Sequence, residues 1–276
     1  MTARTLDLAG HRATRMGFGA MRLPTEPGDT RAASIALLRR VVELGVTVVD
    51  TAHMYGWGAN EELVAEALHP YPEGLLVTTK TGVERRPDLP DGAIYNGSER
   101  FLRAQVDEAL RRLRAERIDL LQLHRIDPEI PVAEQAGTLR DLRDEGKIGH
   151  IGLSEVDVEQ LTEARATVEI ASVQNRYNVL DREHEAVLDA CTAEGIAFLP
   201  WRPVAAGNTG AAAPIAEVAA ELDATPTQVS LAWLLRHSPV MLPIPGTASP
   251  AHLAENVAAA DLELSDEQYL RLSGVG

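Results

Sequence analysis

The sequence predicts an α/β protein, a closed (β/α)8 TIM barrel with an N-terminal β-hairpin cap, and three observations carry that prediction. Short apolar runs recur eight times along the 276 residues. Segments with apolar residues three and four apart and charges on the opposite face separate them, so strand and helix alternate throughout. Strands joined by helices must run parallel, and eight such units in about 250 residues fit a barrel that closes on itself. In addition, the first run, "MGFGAM" (16–21), opens into no glycine-rich turn leading directly to a helix, as a doubly wound dinucleotide-binding sheet requires.

The elements follow in order. Residues 5–13, "TLDLAGHRA", alternate loosely about Gly10 and read as the capping hairpin. "RAASIALLRRVVEL" has the helical period, and "VTVVD" (46–50) has the β-branched density of a strand buried on both faces. Next come the helix "NEELVAEALH", the strand "LLVTTK" (75–80), the helix "SERFLRAQVDEALRRL" with Ser98 as its N-cap, and the strand "IDLLQLH" (118–124). Gly146 stops the helix "VAEQAGTLRDLRDEG", and "HIGLS" (150–154), "ASVQN" (171–175) and "IAFLPW" (196–201) are three more strands. "TPTQVSLAWLLRHS" is helical, "VMLPIPG" (240–246) is the eighth strand, and Ser249 with Pro250 opens the helix beyond it. No linker or low-complexity tract interrupts the pattern, so residues 1–276 are expected to form one domain.

Composition excludes several roles. With 26 Lys and Arg against 41 Asp and Glu, the formal charge is −15, and no block of basic residues offers a nucleic acid or an anionic membrane a local patch. No apolar run reaches the length of a membrane span or a signal peptide, so a soluble, cytoplasmic protein is expected. The single cysteine, Cys191, reads as a small buried apolar residue. Nothing in the sequence sets an oligomeric state.

In a barrel of this kind, active sites lie at the C-terminal ends of the strands, so the polar residue ending each apolar run is the one that reaches the site. Those residues are Asp50 and Tyr55, Lys80, His124, Ser154, Gln174 with Asn175, Trp201, and Gly246 with Thr247. An acid, a phenol, an amine and an imidazole thus converge on one mouth. His53 and Trp57 flank Tyr55 and are candidates to line a substrate pocket. Tyr95 and Asn96 fall on the loop before a helix, at the edge of the same mouth.

"GFGAMRL", "DTAHMYG", "TTK", "LLQLHRID", "IGLSE", "VQNRYN", "PWRP" and "IPGTASPAHLAEN", in this order and at these spacings, resemble the aldo-keto reductase superfamily over nearly the whole chain. The resemblance implies an NADP(H)-dependent reductase of small carbonyl substrates, with Asp50, Tyr55, Lys80 and His124 as the catalytic tetrad. Hydride addition builds negative charge on the carbonyl oxygen, so the site needs a proton donor there. Tyr55 is that acid, and the Lys80 ammonium is expected to pull its pKa down from about 10 while Asp50 keeps Lys80 charged. His124 orients the carbonyl. The resemblance also places Met21, Asp50, Ser154, Gln174, Trp201, Gly246, Thr247, His252, Glu255 and Asn256 around the cofactor.

The pattern departs from the family in two places. Glu155 stands where an asparagine usually follows the serine, and an ionised carboxylate donates no hydrogen bond. His252 and Ala248 stand where an arginine usually grips the adenosine 2′-phosphate, so a modest preference for NADPH is expected, with NADH possible. The short, small-residued segment "RPVAAGNTGAAA" and the end of the chain at "LSGVG" suggest an open pocket. Two rivals stay open at this point: a cofactor-binding regulatory or redox-sensing module on the same fold, and a metal-dependent barrel hydrolase, although the first strand carries no His-x-His pair.

Overall fold

In the computed structural model, which describes residues 5–204 and 213–275, seven parallel strands form one curled sheet. They are β3 (Phe18–Gly19), β4 (Val48–Asp50), β5 (Leu76–Thr81), β8 (Ile118–Leu123), β9 (Ile148–Ser154), β10 (Ser172–Gln174) and β11 (Ala197–Phe198), adjacent in that order. Two antiparallel pairs stand apart from it, β1 (Thr5–Leu8) with β2 (His11–Thr14) and β6 (Val83–Arg85) with β7 (Ala93–Tyr95).

The eighth run, 240–246, is not a regular strand, which corrects the sequence expectation. Pro243 and Pro245 lack the N–H groups a ladder needs, so the segment offers β3 acceptors only. Gly17 N donates to Pro243 O (2.9 Å) and Gly19 N to Pro245 O (3.4 Å). On the other edge, Phe198 N donates to Val240 O (2.9 Å) and Leu242 N to Phe198 O (2.8 Å). The extended chain therefore bridges β11 to β3 and closes the barrel. The buried Arg15 fastens its start, donating to Met241 O (3.2 Å) and Ser238 O (2.5 Å).

The hairpin of β1 and β2 covers the N-terminal end. Its Leu8, Ala9 and Ala13 pack on Val48, Leu76, Leu120, Ala197, Leu199, Leu242 and Ile244, the apolar side chains inside the barrel. Burying Leu8 alone contributes about 1.5–3 kcal/mol. That end is plugged, and the polar residues at the strand ends gather at the opposite, C-terminal end.

Ten helices are described: α1 (Asp29–Glu43), α2 (Ala59–Leu68), α3 (Glu99–Leu113), α4 (Val132–Asp144), α5 (Val158–Thr167), α6 (Glu185–Glu194), α7 (Ala213–Glu221), α8 (Pro226–His237), α9 (Pro250–Ala258) and α10 (Asp266–Ser273). Their apolar stripes and the outer faces of the strands form the larger core, Cys191 included. Gly146 takes φ +81° just past α4, the left-handed stop expected of it. Ser249 caps α9 by accepting from His252 N (3.4 Å). Ser98 precedes α3 but does not cap it with its side chain; the hydroxyl donates to Asn96 Oδ1 (2.7 Å) instead. Tyr95 ends β7 rather than lying in a loop, whereas Asn96 falls in the short connection before α3, where its Nδ2 donates to Glu84 (2.6 Å). No helix among the described residues is long and apolar enough to cross a membrane.

Candidate active site

β4 ends in Asp50, which pairs with Thr78 of β5, and Lys80 follows two residues further along β5, so the two side chains meet at the mouth. Lys80 Nζ donates to Asp50 Oδ2 (2.7 Å), Thr51 O (2.9 Å) and Tyr55 Oη (3.2 Å). The three donors of an ammonium are all used. The ion pair is dry, with the Lys80 side chain 0% and the Asp50 side chain 2% exposed. Burial by itself would lower the Lys80 pKa, but Asp50 and Tyr55 outweigh it and hold the amine above its ordinary value. Asp50 Oδ1 accepts from Gln122 Nε2 (3.1 Å) and Gln174 Nε2 (3.0 Å), so both carboxylate oxygens are engaged.

Tyr55 departs from expectation. Burial raises its pKa above 10.0, and the opposing pull of Lys80 does not overcome it. In this protein alone the phenol is therefore a protonated group whose ammonium partner limits the rise. His124 meets the Tyr55 ring edge-on, with centroids 6.1 Å apart. Burial, Lys80 and Arg125 together hold the His124 pKa well below 6.5, so it is a neutral imidazole able to donate one hydrogen bond.

His53 is fixed from behind. Arg112 Nη2 lies 3.1 Å from His53 Nδ1, and a guanidinium can only donate, so Nδ1 accepts and the proton resides on Nε2. Burial and then the Arg112 charge push the His53 pKa down to about 4. Arg112 is itself held by the fully buried Glu61 (Nε to Oε2, 2.7 Å) and by Glu108 (Nη1 to Oε2, 2.7 Å). Gly58, at φ +98°, makes room, since a Cβ there would meet Arg112 Cδ at 2.8 Å. Trp57 meets His53 edge-on at 5.9 Å, and the Arg85 guanidinium lies 5.7 Å from the Trp57 ring centre.

The residues expected around a cofactor divide into two groups. Gln174 spends its N–H donors on Asp50 and Gln122 (3.1 Å), which leaves its Oε1 as an acceptor. Ser154 Oγ accepts from Arg125 Nη1 (3.2 Å), which leaves its O–H as a donor. One donor and one acceptor side by side fit a primary carboxamide. The second group lies across the mouth at the closing segment and α9. Thr247 Oγ1 accepts from Ser249 N (3.0 Å), and Gly246 packs so close to Gly19 that a Cβ there would meet Gly19 O at 2.6 Å. His252 is exposed, Glu255 half-buried and Asn256 buried, while Met21 is 55% exposed in the turn after β3. No hydrogen bond joins this group to Asp50, Tyr55, Lys80 or His124 among the described residues.

Glu155 has a role other than the one left vacant by asparagine. At φ +55° it turns out of the β9 line, and its Oε1 accepts from Trp201 Nε1 (2.5 Å) and Arg176 N (2.7 Å). The carboxylate thereby pins the Trp201 indole, whose ring also carries the Arg202 guanidinium at 5.4 Å. Most of the segment after Trp201, residues 205–212, falls outside the described residues, as does the open pocket expected from it.

The sequence pattern leaves four residues of the site unflagged: Gln122, Arg125, Glu61 and Arg112. Gln122 is detectable as the inward polar residue two places before His124 on one strand, and Arg125 as the next polar residue after it. Glu61 and Arg112 carry no such signal, because charged residues on helices are ordinarily solvated. Among the described residues no group of three or more His, Cys, Asp or Glu is placed to hold a metal ion.

The Aldo/keto reductase family model matches residues 15–276. The chain is 43% identical to an uncharacterized oxidoreductase of Schizosaccharomyces pombe, across 99% of this chain and 90% of that one. It is 36% identical to the pyridoxine 4-dehydrogenase of Escherichia coli, across 100% and 99% of the two chains. An aldo-keto reductase from Klebsiella pneumoniae, solved in complex with NADPH, superposes with a TM-score of 0.86 at 26% identity, covering 100% of this chain and 95% of that one. A barrel of this topology, a buried Asp–Lys pair bonded to a tyrosine at its mouth and a family match spanning nearly every residue agree: the chain belongs to the aldo/keto reductase family.

Proposed function

We propose that the protein reduces aldehydes or ketones to alcohols with NADP(H), using Tyr55 as general acid supported by Lys80, Asp50 and His124. The observation that carries this reading is the Lys80 ammonium, shared between Asp50 and the Tyr55 hydroxyl in a dry site. When bound, the reduced nicotinamide supplies a hydride, two electrons and one hydrogen, to the carbonyl carbon. Tyr55 Oη gives its proton to the carbonyl oxygen, so the alcohol leaves neutral and the phenolate is stabilised by Lys80. His124, neutral, donates a hydrogen bond that sets the carbonyl oxygen beside Tyr55. Asp50 keeps Lys80 charged and, through Gln122 and Gln174, ties the acid to the residues that face the cofactor.

The chemistry of the free groups supports the cofactor assignment. Ser154 and Gln174 offer the donor and acceptor that a nicotinamide carboxamide complements, and Trp201, pinned by Glu155, offers a ring to stack on. Gly246, Thr247 and the start of α9 suit the phosphates, with Met21, His252, Glu255 and Asn256 bordering the adenosine end. His53 and Trp57 wall the substrate side. The NADPH complex of the K. pneumoniae relative and the name of the E. coli one, a dehydrogenase of an alcohol, support the same reaction class.

The test is Tyr55→Phe, which deletes the proton donor and keeps the ring. Steady-state NADPH oxidation with an aldehyde panel should fall by about a hundredfold or more, while NADPH binding, read by Trp fluorescence, stays near wild type. Activity within a few-fold of wild type would sink the assignment of Tyr55.

A further inference from the structure

We propose, resting on the carbonyl-reductase reading above, that Arg125 selects carbonyl substrates carrying an anionic group and grips that group while the carbonyl lies on Tyr55. Arg125 directly follows His124 and is half-buried at the mouth. Its Nη1 donates to His124 O (2.6 Å) and Ser154 Oγ (3.2 Å), which fixes the guanidinium over the site. Nε and Nη2 have no partner among the described residues. These two atoms form the flat edge that binds a carboxylate or phosphate through two parallel hydrogen bonds.

Among the described residues, Arg125 combines a charge with no carboxylate partner and a free guanidinium edge. Acids outnumber bases 41 to 26, and the half-buried Arg31, Arg103 and Arg271 each have a carboxylate within ion-pair distance, while Arg15 and Arg182, which have none among the described residues, spend their guanidinium groups on backbone carbonyls. The acids beside Arg125 in the chain or next to its partner Ser154 are drawn elsewhere: Glu155 to Trp201 Nε1 and Arg176 N, and Asp127 to Gly97 N (2.9 Å) and Glu129 N (3.0 Å). Arg85, over the Trp57 ring, likewise has no carboxylate partner among the described residues, a second cation at the mouth of an otherwise acidic protein. Arg125 is anchored on His124 O, and the His124 ring meets that of Tyr55 at 6.1 Å, which sets the guanidinium within a substrate's length of the reacting oxygen.

A cofactor phosphate is the other anion present in such a site, but the turn suited to phosphate lies across the mouth at Gly246 and Thr247. The experiment separates the two. Values of kcat/KM are measured with NADPH for 4-carboxybenzaldehyde and for its neutral counterpart 4-methylbenzaldehyde, on wild type, Arg125→Leu and Arg125→Lys. Dissociation constants for NADPH are measured on the same proteins. The wild type should favour the carboxylate about tenfold or more, mainly through KM, because a charge-assisted pair is gained only by the anion. In R125L that ratio should fall to near one, and R125K, a charge without the flat edge, should lie between.

A wild-type ratio of one with good turnover of the neutral aldehyde would overturn this inference and leave the carbonyl-reductase reading standing. A preserved ratio in R125L would overturn it as well, as would losses explained wholly by weaker NADPH binding. No turnover of either aldehyde, with NADPH bound, would overturn the underlying reading and this inference with it. The wild-type comparison needs no variant, so a poorly folded R125L does not shield the proposal.

Discussion

Arg112→Met tests how the barrel fixes His53 beside the acid. Arg112 and Glu61 are buried, with side chains 6% and 0% exposed, and their bond is 2.7 Å long. Burial already raises the Glu61 pKa above 4.5, with Arg112 the larger of the effects pulling it down. Deleting the guanidinium leaves Glu61 with only the Thr79 hydroxyl (2.6 Å), and an unpaired buried charge costs about 3–5 kcal/mol at pH 7. The bond to Glu108 adds little to that figure, since Glu108 is more than half exposed. A carboxyl whose folded pKa is raised contributes stability that is fully present below the unfolded pKa and is lost as pH rises through the folded pKa. The deficit should therefore shrink by up to about 2–3 kcal/mol between pH 7 and pH 5, at about 1.4 kcal/mol per pH unit while Glu61 stays protonated in the fold. Urea unfolding followed by far-UV circular dichroism at pH 5, 6 and 7 reads both effects. The double variant E61Q/R112M, with no charge left to strand, should be more stable than R112M at pH 7 and lose that pH dependence. A deficit below about 1 kcal/mol at pH 7, or one equal at pH 5 and 7, would refute the reasoning.

Lys80→Met removes the charge that restrains the rise of the Tyr55 pKa, so carbonyl reduction should slow by about a hundredfold or more and the alkaline rise of alcohol oxidation should move to higher pH; an unchanged pH–rate profile would show the groups uncoupled. Trp201→Ala should weaken NADPH binding by about 1–2 kcal/mol through lost stacking. Glu155→Gln, which replaces a charged acceptor at Trp201 Nε1 with a neutral one, should weaken it by a smaller amount in the same fluorescence titration, and unaltered binding in both would place the nicotinamide elsewhere. His252→Arg adds a permanent cation beside the start of α9 and should tighten NADPH while leaving NADH nearly unchanged; equal shifts for both cofactors would move the 2′-phosphate away from residue 252.

Strand–helix alternation and the polar residue at each strand end are local patterns, and they suffice to put Asp50, Lys80 and His124 on one rim. Tyr55 is legible for the same reason, five residues beyond a strand dry on both faces. The hairpin plug and the caps of α4 and α9 are also written locally, in Gly10, Gly146 and the Ser249–Pro250 pair. The eighth run misleads because its apolar pattern is that of a strand, whereas closure depends on which edge needs donors and which accepts prolines.

Tertiary structure decided what distance and burial control. Gln174 reaches Asp50 across 124 residues and Arg112 reaches Glu61 across 51, separations at which no periodicity operates. The positive turn at Glu155, which sends its carboxylate to Trp201, depends on space available only in the folded mouth. The Tyr55 pKa rises where a nearby lysine alone implies a fall, because burial outweighs the pull of Lys80 and the Asp50 charge adds to the rise. Residue types can name both effects; only the depth of the phenol in the barrel mouth determines which prevails.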